Sequence, residues 1–231
     1  MREKINLCFI GCGKFCQNFV PLFKLHPDVE SVQLCDLLPE RAAATAQQFQ
    51  VPVVESFEKA LADRKINAVA IFTQRHLHGP MVIAALKAGK HVYSAVPCAS
   101  KIEEIQEIEA LVRQTRLTYS MGETGYYRSA TVFCRQKMKA GAMGDFVYGE
   151  AQYNHDQRHF DFTRSGANWR QVAGIPPMYY PTHSTSMILG ALPGVYAQNV
   201  AAFAYTEKYL TDIFGAGQNL WNNPFINTAM L

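Results

Sequence analysis

No stretch of this chain approaches the run of about 18 to 20 apolar residues that a membrane-crossing helix requires, so no span is expected. Charge of one sign is equally scarce. Twenty-two Lys and Arg stand against 19 Asp and Glu, a formal charge of +3. The basic residues are scattered, with no run or stripe, which argues against nucleic-acid binding. Six cysteines in 231 residues are too few for a disulfide scaffold. Cys8, Cys12 and Cys16 are evenly spaced, but a strand, a turn and a helix should carry them, so they are not expected to converge on a metal. Repeats and low-complexity tracts are absent. The basic start Met1-Arg2-Glu3-Lys4 meets the short apolar run Ile5–Ile10, which leads straight into a glycine loop. That is too brief for a signal-peptide core; it predicts a buried strand and a cytoplasmic protein.

What remains is ordinary globular material, 48% hydrophobic and 18% charged, with length for one large or two modest cores. Short apolar runs alternate with helical segments over the first half, the pattern of βαβ units and a parallel sheet. Strands are expected at Ile5–Ile10, Ser31–Cys35, Ala68–Phe72, His91–Ser94 and Leu117–Met121. The runs lack in/out alternation, as strands covered on both faces do. Helices are expected at Lys14–Leu25, Pro39–Phe49, Phe57–Asp63, His78–Ala88 and Ile102–Thr115. In the last, Ile102, Ile105, Ile108, Leu111 and Val112 recur at helical spacing and predict one buried face. Gly89 suits the end of the helix before it.

Past Gly122 the texture changes to frequent glycine and aromatics. A helix over about 130–140, a long strand at Phe146–Asn154, an irregular stretch rich in Arg, His, Asp and Trp, a Pro-Pro turn and a helix from His183 to Leu192 are expected. The expected fold is therefore α/β: an N-terminal Rossmann doubly wound parallel sheet over 1–122, then a substrate-binding α+β domain over 123–231 with an open, largely antiparallel sheet. Asn223 to Leu231 stop mid-pattern without a polar tail, and the second domain is expected to be incomplete.

The chemistry starts at Gly11-Cys12-Gly13-Lys14-Phe15-Cys16, between the first strand and the first helix. Gly11 can make the tight turn, and Gly13 lets backbone amides approach a pyrophosphate at a helix N-terminus. Cys16 stands where a third glycine is usual, small enough for close helix–strand packing. Asp36, twenty residues further at the end of the second strand, would accept from the adenosine ribose hydroxyls and repel a 2′-phosphate. NAD is thus expected over NADP, bound by Gly11, Cys12, Gly13, Lys14, Phe15 and Asp36. An Asp36 that merely starts a turn or caps the next helix is the competing reading. After the third strand, Thr73 with His76 or His78 could flank the nicotinamide-side ribose, or could form a solvated loop.

The Gly11–Asp36 unit, Gly89-Lys90-His91-Val92-Tyr93-Ser94-Ala95-Val96-Pro97 and Gly141-Ala142-Met143-Gly144-Asp145-Phe146 resemble the glucose–fructose oxidoreductase/inositol dehydrogenase (Gfo/Idh/MocA) superfamily. Members of it usually read Glu-Lys-Pro at 95–97, with the lysine catalytic beside the nicotinamide. Here Val96 replaces that lysine, and Tyr179 falls where an aspartate usually precedes the site histidine by four residues. Pro97 and His183 are kept. One branch, the NAD-dependent α-N-acetylgalactosaminidases, also carries Val-Pro. Gly122-Glu123-Thr124, the run from Gly149 to Asp156 and Tyr180-Pro181-Thr182-His183 are similar to that branch, until Ser184-Thr185-Ser186 departs from it.

The resemblance implies a cofactor contact at Pro97 and catalytic roles for His183, Tyr180, Tyr153, His155 and Glu123. Spacing is compatible: Tyr153 and His155 share a strand face, and Tyr180 and His183 are three apart where a helix begins. Asp156, Arg158, Trp169 and Arg170 could shape a sugar pocket or form a surface network. The implied activity is NAD-dependent oxidoreduction of a sugar or cyclic polyol without the usual lysine. A redox-neutral NAD-dependent glycosidase is the alternative, and a non-catalytic NAD-binding regulator the second. A small carbohydrate or polyol is the expected partner, with homo-oligomers implied by the superfamily.

Overall fold

The computed structural model describes residues 3–154, 181–205 and 227–230. The chain divides into two compact units, Met1–Gly122 and Glu123–Leu231.

In the first unit β1 (Ile5–Ile10), β2 (Val29–Cys35), β3 (Ala68–Ile71), β4 (His91–Ser94) and β5 (Tyr119–Met121) form one sheet. Their order is β2-β1-β3-β4-β5, and every pairing is parallel. Between them run α1 (Lys14–Gln17), α2 (Val20–Lys24), α3 (Pro39–Phe49), α4 (Phe57–Ala62), α5 (Arg75–Lys87) and α6 (Ile102–Thr115). Successive residues of β1 and β3 feed opposite cores. Cys8, Ile10, Val69 and Ile71 join one cluster with Val82, Leu86 and Ile108. Leu7, Phe9, Ala68 and Ala70 join the other with Cys16, Val20 and Leu34. Two-sided burial is why these strands read as unbroken apolar runs.

On the second face the small Ala68 and Ala70 leave room for an aromatic group. Phe9 stacks on Phe72 with ring centroids 5.6 Å apart and meets Phe23 edge-on at 5.5 Å. Tyr93 closes on Phe23 at 5.5 Å and Phe72 at 5.9 Å. Such offset and edge-to-face pairs add to their burial.

Three expectations are corrected in this unit and the next. The helix expected over Lys14–Leu25 is two pieces, α1 and α2. Pro21 cannot donate to the Gln17 carbonyl and its ring crowds that group, so the chain makes tighter bonds, Asn18 N–H to Phe15 O and Phe19 N–H to Cys16 O. In α6, Ile108 is buried and Leu111 and Val112 pack beside it. Ile102 and Ile105 are 61% and 40% exposed, because the first turn lies outside that cluster.

The third correction is the strand expected at Phe146–Asn154. From Gly149 to Asn154 every second residue is exposed, and side-chain bonds at the same spacing join Gln152 to Glu150 and Asn154 to Gln152. The period is a strand's, but no described residue pairs with this segment in a ladder, and a strand is defined by that pairing.

The second unit holds a 3-10 turn (Gly125–Tyr127), α7 (Ser129–Lys139), α8 (Thr182–Ala191) and an antiparallel pair, β6 (Ala202–Tyr205) with β7 (Asn227–Met230). Arg135 fastens α7 to its neighbours by donating to the carbonyls of Tyr126 and Gly190. Gly190 allows the close approach, since a Cβ there would stand 2.8 Å from the Tyr126 ring.

Candidate functional site

Gly11 adopts φ +93°, and a Cβ on it would lie 2.8 Å from the Phe72 carbonyl oxygen. Only glycine combines that backbone with that proximity. Around Gly13 the reverse holds: nothing lies within 4 Å of where a Cβ would stand. The backbone there is bare, which fits the close approach of a dinucleotide pyrophosphate.

Asp36, nine-tenths buried, stitches this loop to the end of β2. Its Oδ2 accepts from Cys12 N–H at 2.7 Å and its Oδ1 from Leu38 N–H at 2.9 Å. Arg41 stands 3.7 Å from Oδ2. The turn-forming role and the ribose-binding role are therefore compatible. A carboxylate offers about four lone-pair sites, and the two amides use one on each oxygen. Cys8, Cys16, Cys12 and Cys35 are all pushed up by burial, Cys12 to about 12 and Cys35 to about 11. Thiols held protonated are poor metal ligands, and no group of three metal-ligating side chains occurs among the described residues.

Of the other suggested cofactor contacts, Lys14 and Phe15 open α1, and Thr73, His76, His78 and Pro97 follow β3 and β4. Lys14 and Phe15 are exposed, and the Phe15 ring packs 4.9 Å from Phe19. Thr73 follows β3, while Pro97 follows β4 and is buried. Burial lowers the imidazole of His76. His78, suggested as a ribose contact, is only 1% exposed. Its Nδ1 lies 2.7 Å from Pro97 O and its Nε2 3.1 Å from Thr73 O, and burial lowers its pKa, so the neutral ring donates to one backbone carbonyl, packs against the other and presents no open edge.

In the second unit Glu123 and His183, sixty residues apart, meet in the interior. Glu123 Oε1 accepts from Gly125 N–H at 2.6 Å and lies 2.7 Å from His183 Nδ1. Both side chains are 7% exposed. Burial pushes the Glu123 carboxyl up, but the hydrogen bonds from His183 and Gly125, with the nearby Thr182 hydroxyl, outweigh it and hold the group below the usual carboxylate range. With the Nδ1 proton fixed on the carboxylate, a neutral His183 ring carries its lone pair at Nε2.

The Tyr153 ring packs on His183, centroids 4.3 Å apart, and the Arg128 guanidinium lies 5.8 Å from that ring. Burial pushes the Tyr153 phenol up, more than the nearby Arg128 draws it down. Position 125 must stay small, because a Cβ there would meet the Ser186 hydroxyl and lie 2.9 Å from both Glu123 Oε1 and the His183 carbonyl. Three of the five expected catalytic residues are thus together: Glu123, Tyr153 and His183. His155 and Tyr180 lie outside the described residues, as do Asp156, Arg158, Trp169 and Arg170. Gly125 and Thr182, which the sequence reading did not single out, complete the carboxylate's surroundings.

A depressed carboxyl has a definite consequence for stability. Glu123 contributes stability above its unfolded-state pKa, and that contribution is lost as pH falls through the lower folded value. Glu123→Gln should therefore flatten the decline in melting temperature below the ordinary carboxylate range. Unchanged acid sensitivity in the variant would show that the pair does not govern it.

A twisted parallel sheet with a glycine turn after β1 and an acidic residue closing β2 defines a dinucleotide-binding protein. The model of the Gfo/Idh/MocA oxidoreductase family, with its NAD-binding Rossmann fold, matches residues 5–123, and the chain belongs to that family. It is 28% identical over 182 residues to dTDP-3,4-didehydro-2,6-dideoxy-alpha-D-glucose 3-reductase from Streptomyces violaceoruber, covering 78% of this chain and 53% of that protein. A glycosyl hydrolase family 109 protein from Bacteroides fragilis is 30% identical over 178 residues, 73% of this chain and 38% of its own length. An NAD-binding protein from Listeria innocua shares the fold at 23% identity and TM-score 0.66, over 90% of this chain and 60% of that one. The chain spans about half the length of the first curated relatives it matches. Among the described residues no helix is long and apolar enough to cross a membrane.

Proposed function

We propose that this chain is an NAD-dependent oxidoreductase acting on a secondary hydroxyl of a sugar or cyclic polyol. The observation that carries the reading is the buried Glu123–His183 pair in a chain whose other unit has a dinucleotide-binding cradle. Gly11, Gly13 and Asp36 would hold the cofactor, with Thr73 and Pro97 toward its nicotinamide half. When bound, the dinucleotide supplies a two-electron acceptor for a carbinol.

The residues of this chain handle the proton. Glu123 fixes the His183 ring so that Nε2 can take it from the substrate hydroxyl. Tyr153, its phenol pushed up by burial, stays protonated and serves as a donor or hydrogen-bonding group. Tyr180 shares the base role in this reading. With Val96 in place of the usual lysine, His183 carries the acid–base work.

A second reading is favoured by the relatives named glycosyl hydrolase family 109 and by Val96 itself. It is redox-neutral glycoside cleavage, in which oxidation at the third carbon would acidify the neighbouring C–H, loss of that proton would expel the leaving group from the anomeric carbon, and the oxidation would be reversed after water adds. One experiment separates the two. The chain is incubated with NAD⁺ and a panel of nitrophenyl glycosides and free polyols. Accumulating NADH absorbance marks the oxidoreductase, while nitrophenol release without net NADH marks the glycosidase. Cofactor binding with neither signal overturns both and leaves a binding protein.

NAD over NADP rests on Asp36. Asp36→Asn should weaken NADH about tenfold and narrow the gap between NADH and NADPH, through loss of the charge that repels a 2′-phosphate. Fluorescence titration of both cofactors measures it, and an unchanged preference would remove Asp36 from the specificity argument.

A further inference from the structure

The topology divides a dinucleotide between strand ends. With the adenosine ribose at Asp36 beyond β2 and the pyrophosphate at the glycine turn after β1, the remaining half must run over the ends of β3 and β4, on the far side of β1 in the order β2-β1-β3-β4-β5. The segments found there are the Phe72–Thr73 turn and the Ala95–Pro97 loop. They leave different strands and are twenty-four residues apart at Thr73 and Pro97.

Ala95 N–H donates to Ile71 O at 2.9 Å, and beyond that bond one side chain lies between them. His78, in the first turns of α5, sets Nδ1 2.7 Å from Pro97 O and Nε2 3.1 Å from Thr73 O. The ring is 1% exposed. Each segment is also fixed from its other side. The Phe72 carbonyl lies against Gly11, where a Cβ would come within 2.8 Å. Ser94, the last residue of β4, shares a 2.9 Å hydrogen bond with the Tyr119 hydroxyl of β5. Beyond the Ala95 N–H to Ile71 O bond, His78 fills the gap between the two segments.

We propose that His78 is a positioning residue for the nicotinamide half of the cofactor. It sits between the Thr73 and Pro97 carbonyls, its one N–H bonded to one of them and its other edge packed against the other, and so spaces the floor on which that half lies, without touching it. Both carbonyl oxygens lie against the buried ring, which leaves the opposite side of each loop for the ligand. The inference rests on the dinucleotide reading above and adds a division of labour to it. Asp36 and the glycine turn serve the adenosine and pyrophosphate, and His78 serves only the other end.

The test compares NADH with ADP-ribose, which keeps the adenosine and both phosphates but lacks nicotinamide. Both are titrated by calorimetry against the wild-type chain, His78→Gln and His78→Leu, with melting temperatures recorded. Glutamine can bond one or both carbonyls; leucine can bond neither. The expected result is NADH binding about tenfold weaker in His78→Leu, and less weakened in His78→Gln, with ADP-ribose within about twofold of wild type in both. A merely structural role would move both ligands together.

Equal weakening of NADH and ADP-ribose, or no change in either, overturns the proposal. Should His78→Leu fail to fold, His78→Gln decides by the same ratio. A wild-type chain that binds neither ligand overturns the dinucleotide reading, and this proposal with it. Wild-type binding of both, with an unaltered ratio in the variants, overturns the proposal alone.

Discussion

Gly11→Ala is expected to abolish useful dinucleotide binding while leaving a folded chain of reduced stability. Two costs combine. At φ +93° an alanine is strained by about 1–2 kcal/mol, and its Cβ would stand 2.8 Å from the Phe72 carbonyl oxygen and 2.9 Å from the Phe72 carbonyl carbon. These are backbone atoms that no rotamer change can move. Relief requires the turn to shift away from the end of β3, carrying the Cys12 amide off Asp36. Total destabilisation of about 2–4 kcal/mol is expected from strain and overpacking together, with NADH affinity down at least about 100-fold. Melting temperature and NADH titration of one preparation read both. Wild-type affinity in the variant would mean that the turn does not approach the cofactor. Gly13→Ala gives the contrast, since open space at Gly13 predicts a stable fold with weakened binding only.

The second large effect concerns the buried pair. His183→Ala should lower turnover of whichever glycoside or polyol proves to be the substrate by about 10²–10⁴-fold, the usual range for loss of a general acid–base group, with NADH affinity unaltered. Glu123 then resolves into orientation and charge. In Glu123→Gln an amide oxygen can still accept from Gly125 N–H and from His183 Nδ1, so the ring keeps its direction and loses only the negative charge beside it. Glu123→Ala loses both. The expected order of kcat is wild type, then Gln, then Ala, with Ala close to His183→Ala because residues acting as a unit are not additive. Equal losses in Gln and Ala would assign the whole effect to charge. Full activity in His183→Ala would remove this cluster from the chemistry.

The parallel sheet was legible because strands buried on both faces need continuous apolar runs, and the strands Ile5–Ile10 and His91–Ser94 occur where the sequence predicts them, as does the helix Pro39–Phe49 between them. The stop at Gly89 was legible for the same kind of reason: φ +77° is a conformation glycine adopts freely. The break at Pro21 was visible too, but helical periodicity across Lys14–Leu25 masked it. Local pattern says nothing about a ladder, so Phe146–Asn154 carried a strand's alternation without a described partner. Nor could it show that carbonyls from residues 73 and 97 converge on one imidazole. The meeting of Glu123 and His183 has no local signature either; a separation of sixty residues is bridged only by the fold. The resemblance to a family supplied those two residues, and the geometry supplied the relation between them.

Asp36 makes recognition a property of folding. With Gly11 N–H on the Cys35 carbonyl at 2.8 Å and the Cys12 amide on Asp36 at 2.7 Å, the turn is strung to the end of β2 by bonds internal to the protein. Its conformational entropy is surrendered when β2 docks beside β1, and little is left to surrender when a ligand arrives. Preorganisation of this kind favours rapid, rigid-body association over induced fit. It also makes strand pairing and ligand competence a single cooperative event, so fraying of β2 at Cys35 disarms a turn more than twenty residues away in sequence.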